Sequence, residues 1–260
     1  MKQSEAAIDL YNSVPRDNAL RVNADVQSAL LLETLGKSKE ATDHLSAVVA
    51  ANPKNEEALT ALGNIQRSRK LFDEAVATYT RVLDLQTRAD KGQWLLYYYR
   101  GIANERRKQW PQAEADLKKA LELNPDQPLV LNYLGYSWVD QGANLDDAFK
   151  MLRRAVELRQ RDGYVVDSLG WAYYRLGRYD DAVRELEKAI DLKPSDPVIN
   201  DHLGDAYWRV GRKLEAQFQW NHARDLKPEP EDLPKILNKI QNGLNEKPEL
   251  AGEKTGNKGG

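Results

Sequence analysis

The residues in this chain that could do chemistry are three histidines, a serine and several paired aspartates. Ser168, beside Asp167, stands 34 residues before His202, which is beside Asp201. Serine, imidazole and carboxylate together are the parts of an acyl-transfer nucleophile, with the imidazole as its base. Such a nucleophile also needs a pre-oriented turn and an oxyanion hole. Ser168 is predicted in mid-helix, where backbone N–H groups are already used. Ser168 and His202 therefore read as polar lining of a binding surface, and no catalytic residue is assigned. His44, next to Asp43, and His222 have no second His or Cys at ligand spacing, so neither a metal site nor a cofactor is expected.

The other charged clusters have plain explanations. Asp146-Asp147 and Asp180-Asp181 fall at predicted helix starts, where negative charge complements the helix dipole. Arg106-Arg107-Lys108 and Arg153-Arg154 read as solvated faces or as partners of nearby carboxylates. No glycine-rich phosphate loop is present, since the glycines occur singly. With 38 basic and 40 acidic residues the net charge is −2, which gives no general pull toward nucleic acid or anionic membrane. Cysteine is absent, so disulfides and thiolate chemistry are excluded. No apolar run is long enough to span a bilayer, and Met1–Glu5 lacks the apolar core of a secretory signal.

The elements that position these residues follow a repeat. Gly170 is followed twelve residues later by Ala182, then by Leu186, Ala189 and Pro194. The same series runs Gly204, Ala216, Trp220, Ala223, Pro228 and Gly101, Ala113, Leu117, Ala120, Pro125. Gly135 leads to Ala148, Leu152 and Ala155 with one extra residue in the turn Gln141–Asn144. Gly63 leads to Ala75, Tyr79 and Val82, and in the weakest copy Ala29 takes the glycine place ahead of Ala41, Leu45, Val48 and Pro53. Small residues at fixed offsets let two antiparallel helices approach closely, and larger ones fill the gaps between them. Proline then stops the second helix. A period-2 apolar pattern is missing, so the expected class is all-α.

These residues resemble the tetratricopeptide-repeat family, over 22–230 and most specifically over 94–230. The resemblance implies a right-handed superhelical solenoid of antiparallel helix pairs, with about six repeats and a C-terminal capping helix. The expected units are 22–55, 56–93, 94–127, 128–162, 163–196 and 197–230. Residues 1–21 read as a leftover second helix plus a link, with Ala6, Leu10 and Ser13 at its contact places. Because that helix lacks its first-helix mate, the chain is expected to be a piece of a longer protein, with Met1 an added start. Residues 231–244 carry Leu233, Ile236, Leu237 and Ile240 at helical spacing and would cap the last repeat. Residues 245–260 are expected to be disordered, and Thr87–Gly92 reads as a tolerated insertion between repeats.

Aromatics carry the functional signal. In proteins of this family, first-helix places line a concave groove. Here they hold Tyr98 and Tyr99; Asn132, Tyr133, Tyr136 and Asp140; Tyr164, Asp167, Trp171, Tyr174 and Arg175; and Asp201, His202, Asp205, Trp208 and Arg209. Tyr and Trp give large contact area at low entropic cost, and scattered polar groups suit an extended peptide or an inserted helix. Family members that clamp a terminal carboxylate use Lys, Arg and Asn at such places, a pattern this chain lacks.

A closer resemblance is carried by Leu131–Tyr136, Leu145–Ala148, Asp167–Trp171, Tyr174–Arg178 and His202–Asp205 with Trp208 and Gly211-Arg212. Over 94–225 the chain is similar to the C-terminal repeats of bacterial cell-envelope tetratricopeptide proteins. Some of those are outer-membrane lipoproteins that bring substrates to periplasmic carboxyl-terminal processing proteases. The resemblance implies a non-enzymatic adaptor in the periplasm or at the outer membrane, with a processing protease or its substrates as partner. It also implies an export signal and further repeats ahead of Met1. The alternative expectation is an assembly element that self-associates through exposed repeat ends.

Overall fold

Six successive antiparallel helix pairs reproduce the sequence repeat in the computed structural model, which describes residues 2–86 and 91–245. The pairs follow α1 (Lys2–Asn12). They are α2 (Arg21–Thr34) with α3 (Ser38–Ala51), α4 (Glu56–Ser68) with α5 (Phe72–Leu85), and α6 (Trp94–Arg106) with α7 (Trp110–Leu123). Next come α8 (Pro128–Gln141) with α9 (Leu145–Leu158), α10 (Gly163–Arg175) with α11 (Tyr179–Leu192), and α12 (Pro197–Arg209) with α13 (Lys213–Asp225). The final helix is α14 (Leu233–Asn242), and a 3-10 turn at Lys91–Gln93 leads into α6. No strand occurs among the described residues. The chain divides into two units, Met1–Pro125 and Asp126–Gly260.

Local chemistry sets the boundaries. Asp162 Oδ1 accepts from Tyr164 N at the start of α10, and Asp196 Oδ1 accepts from Val198 N and Ile199 N at the start of α12. Each such cap satisfies helix donors that would otherwise be orphaned. Seven residues beyond each repeat's glycine place the chain reverses in a left-handed conformation. Gly177 (φ +73°) and Gly211 (φ +84°) supply it readily, whereas Lys70 (φ 61°) and Lys108 (φ 60°) must be forced into it. The extra residue after α8 is absorbed there by left-handed Gly142 and Asn144.

Packing within a pair depends on close approach. A β-carbon built on Gly204 would stand 2.5 Å from Trp220 Cδ1, and one on Gly170 would stand 2.7 Å from Leu186 Cγ. Trp220 and Leu186 are fully buried, as are the alanines that flank them, Ala216 and Ala223 or Ala182 and Ala189. Each such large side chain contributes about 1.5–3 kcal/mol by leaving water.

Within the first unit, Arg21 fastens α1 to α2, donating to Asn12 O and Val14 O while pairing with Asp25. The expected contact places on α1 need correction. Ala6, Leu10 and Ser13 are exposed, and Ile8 packs on the core instead. On α14, Ile236 is buried as expected but Leu237 is exposed, because a ten-residue helix offers only a narrow face to its support. The tail from 246 onward and Thr87–Asp90 lie outside the described residues.

Lys108→Gly and Lys70→Gly should each stabilise the chain. Relief of a left-handed L-residue, about 1–2 kcal/mol, exceeds the extra unfolded-state entropy of glycine, about 0.4–1 kcal/mol. Gly204→Ala should destabilise it by about 1–3 kcal/mol through overpacking. Urea-unfolding midpoints followed by circular dichroism check all three, and an unchanged midpoint for Gly204→Ala would contradict the close-approach account.

Candidate partner-binding site

In the second unit the first helices α8, α10 and α12 pack directly on one another in order. No comparable packing joins the successive second helices α9, α11 and α13 among the described residues. Neighbours that are closer on one side curve the stack, so the first-helix face is the concave one.

Polar side chains fasten this face with a constant step in sequence. Arg175 donates through Nη1 to Asp140 Oδ1 (3.0 Å) and through Nη2 to Asp140 O (3.2 Å), 35 residues back. Arg209 Nε donates to Tyr174 OH (3.3 Å), also 35 residues back. His202 Nδ1 donates to Asp167 Oδ1 at 2.9 Å, again across 35 residues. The Trp171 ring stacks against Tyr174 (centroids 4.7 Å, interplanar 10°) and against His202 (4.1 Å, 15°). Ser168 is committed elsewhere, its Oγ donating to Tyr164 O at 2.9 Å within its own helix.

Burial opposes protonation of His202. The charge and hydrogen bond of Asp167, helped by Asp201 and Asp205, outweigh it and raise the imidazole pKa above its usual value. Asp205 is also shifted upward, to about 6. Burial is the main cause and Asp201 adds to it, while Lys239 and the Trp220 indole oppose it. Burial, then the charges of Asp167 and Asp140, holds the Tyr136 phenol protonated against the pull of Arg175.

Four polar atoms on this face are shielded from solvent and have no hydrogen-bond partner among the described residues. They are Asn132 Oδ1, Trp171 Nε1, Arg175 Nε and Asp201 Oδ1. Each such atom costs about 1–3 kcal/mol while unpaired.

The last helix meets the same face. Lys239 Nζ donates to Asp201 Oδ2 (2.7 Å) and Asp205 Oδ2 (2.8 Å), and Trp220 Nε1 donates to Asp205 Oδ1 (2.8 Å). Arg209 Nη1 donates to Asn245 O at 2.6 Å, and Gly243 lies against the Trp208 ring. Sequence reasoning missed Lys239, although it stands 34 residues after Asp205, the step of the repeat itself.

The structure therefore brings together Tyr136, Asp140, Asp167, Trp171, Tyr174, Arg175, Asp201, His202, Asp205, Trp208 and Arg209. Several are less open than groove lining implies. Asp167, Tyr174, His202 and Asp205 are buried, the first three against the neighbouring repeat and Asp205 against Trp220 and Lys239, so they fasten the face rather than pave it. Asn132 and Tyr133 are half-buried on α8. Tyr164 is displaced from the set. It is 53% exposed at the start of α10, with Lys193 Nζ 4.3 Å over its ring. Tyr98 and Tyr99 belong to the first unit, where Tyr99 stacks on Tyr79 (6.3 Å) beneath Arg67 (4.4 Å). Among the described residues no group of three or more His, Asp or Glu could hold a metal ion, and no helix is long and apolar enough to cross a membrane.

Comparison with known proteins adds a lineage. Models described as "Tetratricopeptide repeat" match residues 26–93 and 94–127, and one described as "TPR repeat" matches 170–211. A TPR repeat-containing protein of Pseudomonas aeruginosa is 26% identical over 185 residues, which is 68% of this chain and 29% of that protein. Tetratricopeptide repeat protein 13 of Homo sapiens is 28% identical over 144 residues, 55% of this chain and 16% of that protein. The chain thus spans less than a third of the length of either relative.

Among solved structures, the Cut9–Hcn1 hetero-tetramer of the APC/C aligns with a TM-score of 0.76 at 17% identity, covering 94% of this chain and 46% of that one. A tetratricopeptide repeat protein from Parabacteroides merdae gives 0.72 at 18% identity, covering 92% and 91%. YrrB, described as a TPR protein with an unusual peptide-binding site, gives 0.54 at 20% identity, covering 74% and 94%. At such identities these structures show likeness of fold alone.

A base with a raised pKa holds its proton more tightly in the folded state. The stabilisation from the Asp167–His202 pair is therefore complete below the unfolded value of about 6.5 and fades as pH rises through the higher folded value. His202→Gln should cost about 1.5–3 kcal/mol near pH 5 and clearly less near pH 9, as read from urea midpoints at each pH. An equal cost at both would mean that the imidazole carries no charge in the fold.

Proposed function

Because this chain belongs to the tetratricopeptide-repeat family, we propose that it is a non-enzymatic scaffold holding a peptide or helical segment of a partner protein on its first-helix face. The observation that carries this reading is the set of half-buried side chains left partly open there, Asn132, Tyr136, Trp171, Arg175, Asp201 and Arg209. Asn132 and Asp201 bring acceptors, and Arg175 and Arg209 bring donors. A polypeptide carries one backbone donor and one backbone acceptor per residue, so a bound segment can complement both kinds. The aromatic rings beside them supply apolar contact. The peptide-binding site attributed to YrrB, a protein of like fold, is in keeping with this use.

The finer reading is a cell-envelope adaptor, in the periplasm or at the outer membrane, that presents substrates to a processing protease. Its support is the resemblance of residues 94–225 to such proteins. A second reading, pairing with another copy of the chain, is favoured by one observation. Leu214 (84% exposed) and Phe218 (66% exposed) lie one turn apart on α13. The matching places hold Asp180 and Arg184 on α11, and Asp146 and Lys150 on α9.

Peptides selected from a random library on the immobilised chain should bind about tenfold more weakly to Trp171→Ala and to Tyr136→Ala, with unchanged binding to Phe218→Ala. Equal binding to all of them would count against the face. Light scattering over a dilution series tests the second reading. Dissociation on dilution that Phe218→Glu abolishes would support pairing, and a monomer at all concentrations would dismiss it.

A further inference from the structure

We propose that α14 is an exchangeable internal ligand of the first-helix face. By the same logic, the partner segment that replaces it is an amphipathic helix with a lysine or arginine at the place of Lys239. This rests on the scaffold reading and names the class of partner.

The last helix, α14, packs on α13 and is fastened to α12 by Lys239. Its bond from Lys239 to Asp205 spans 34 residues, in the series of His202–Asp167 and Arg209–Tyr174 at 35. Yet α14 is held differently from the true first helices. It has ten residues against their thirteen or fourteen, and residues 226–232, with Pro228 and Pro230, join it to α13. An isolated helix of that length is unstable in water, so α14 is helical only while docked.

Its anchors coincide with the binding face. Lys239 sits between Asp201 and Asp205, Ile236 is fully buried, Gly243 lies on Trp208, and Asn245 O receives Arg209. The segment also reaches past α12. The charge of Asp232 is felt at the Tyr136 phenol and that of Lys239 at the Tyr174 phenol.

Charge defines what can replace it. Without Lys239, the carboxylates of Asp201 and Asp205 face each other with no cation between them, and leaving buried charge uncompensated is strongly unfavourable. Any helix that displaces α14 must therefore bring a cation to this point and an apolar side chain to the pocket of Ile236. Asp167 cannot take over the role of acceptor, because His202 already holds it. Tethering gives α14 an effective concentration in the millimolar range, so it masks the face from weak ligands and yields to a longer helix of the same pattern.

The test uses the full chain and a fluorescent peptide of residues 229–245. In the Lys239→Glu chain, hydrogen exchange should speed up across α14 while α12 and α13 keep their protection. That chain should bind the peptide at least about tenfold more tightly than the wild-type chain does. The peptide carrying Lys239→Glu should not bind, and Asp201→Asn with Asp205→Asn in the receiving chain should abolish binding of the native peptide. A wild-type chain saturated with unlabelled native peptide gives a check that needs no variant, since α14 amides should lose protection as the peptide takes their seat. Unchanged α14 protection at saturation, or a released α14 with no peptide binding, would overturn the proposal. If that happened while library peptides still depended on Trp171 and Tyr136, the scaffold reading would survive and only α14 exchange would fall.

Discussion

Trp220 occupies the space that a side chain on Gly204 would need, and Leu186 does the same at Gly170. That close approach is the constraint on which the rest of each pair depends. It brings two helix backbones near enough for alanines on the second helix to be wholly buried. It also turns the first helix so that its remaining sides face the neighbouring repeat and the concave surface. Where Arg209 and His202 point follows from it, because α12 has no freedom to rotate without driving Gly204 into the ring of Trp220.

Polar groups then do a job that apolar packing leaves undone. Apolar contacts tolerate sliding, since dispersion and water exclusion have little directionality. A donor and acceptor 34 or 35 residues apart do not. Ser68 with Glu33 and Arg107 with Asp73 set this register in the first unit, and Arg175 with Asp140 and His202 with Asp167 set it in the second. Of these only His202–Asp167 is buried, and the exposed pairs contribute at most about 1 kcal/mol each, so their part is to set register more than to add stability.

How much of this the sequence discloses depends on the kind of interaction. The spacing from Gly170 to Ala182, Leu186 and Ala189 discloses the helix pair, because one small residue out of place would break the contact. Trp171 and Arg175 could be placed on the first-helix face from helical periodicity alone. Their surroundings could not. Whether Asp167 meets solvent depends on which side chain the next repeat lays over it, and that residue turned out to be His202. Tyr164 shares the periodicity of Trp171 yet stands at the connection beside Lys193, since periodicity gives an angle around a helix and not a height along it. Lys239 was hidden for a different reason. Its partners lie 34 and 38 residues away, and the amphipathic pattern of α14 draws attention to its leucines and isoleucines instead.

One extra residue stands in the turn after α8, and the fastening across it still forms. Gly142 and Asn144 take it up in left-handed geometry. Arg175 finds Asp140, five residues past Gly135 as Arg175 is past Gly170, where Arg209 finds Tyr174, one place earlier in its neighbour. Length is thus permissive at the turns and quantised between first helices. Whole repeats could be gained or lost by such a chain in a single event with every fastener re-formed on a new neighbour. A slip of one residue inside α10 would instead move Asp167, Trp171 and Arg175 off their partners together. The grammar of the array admits added words but not misspelled ones.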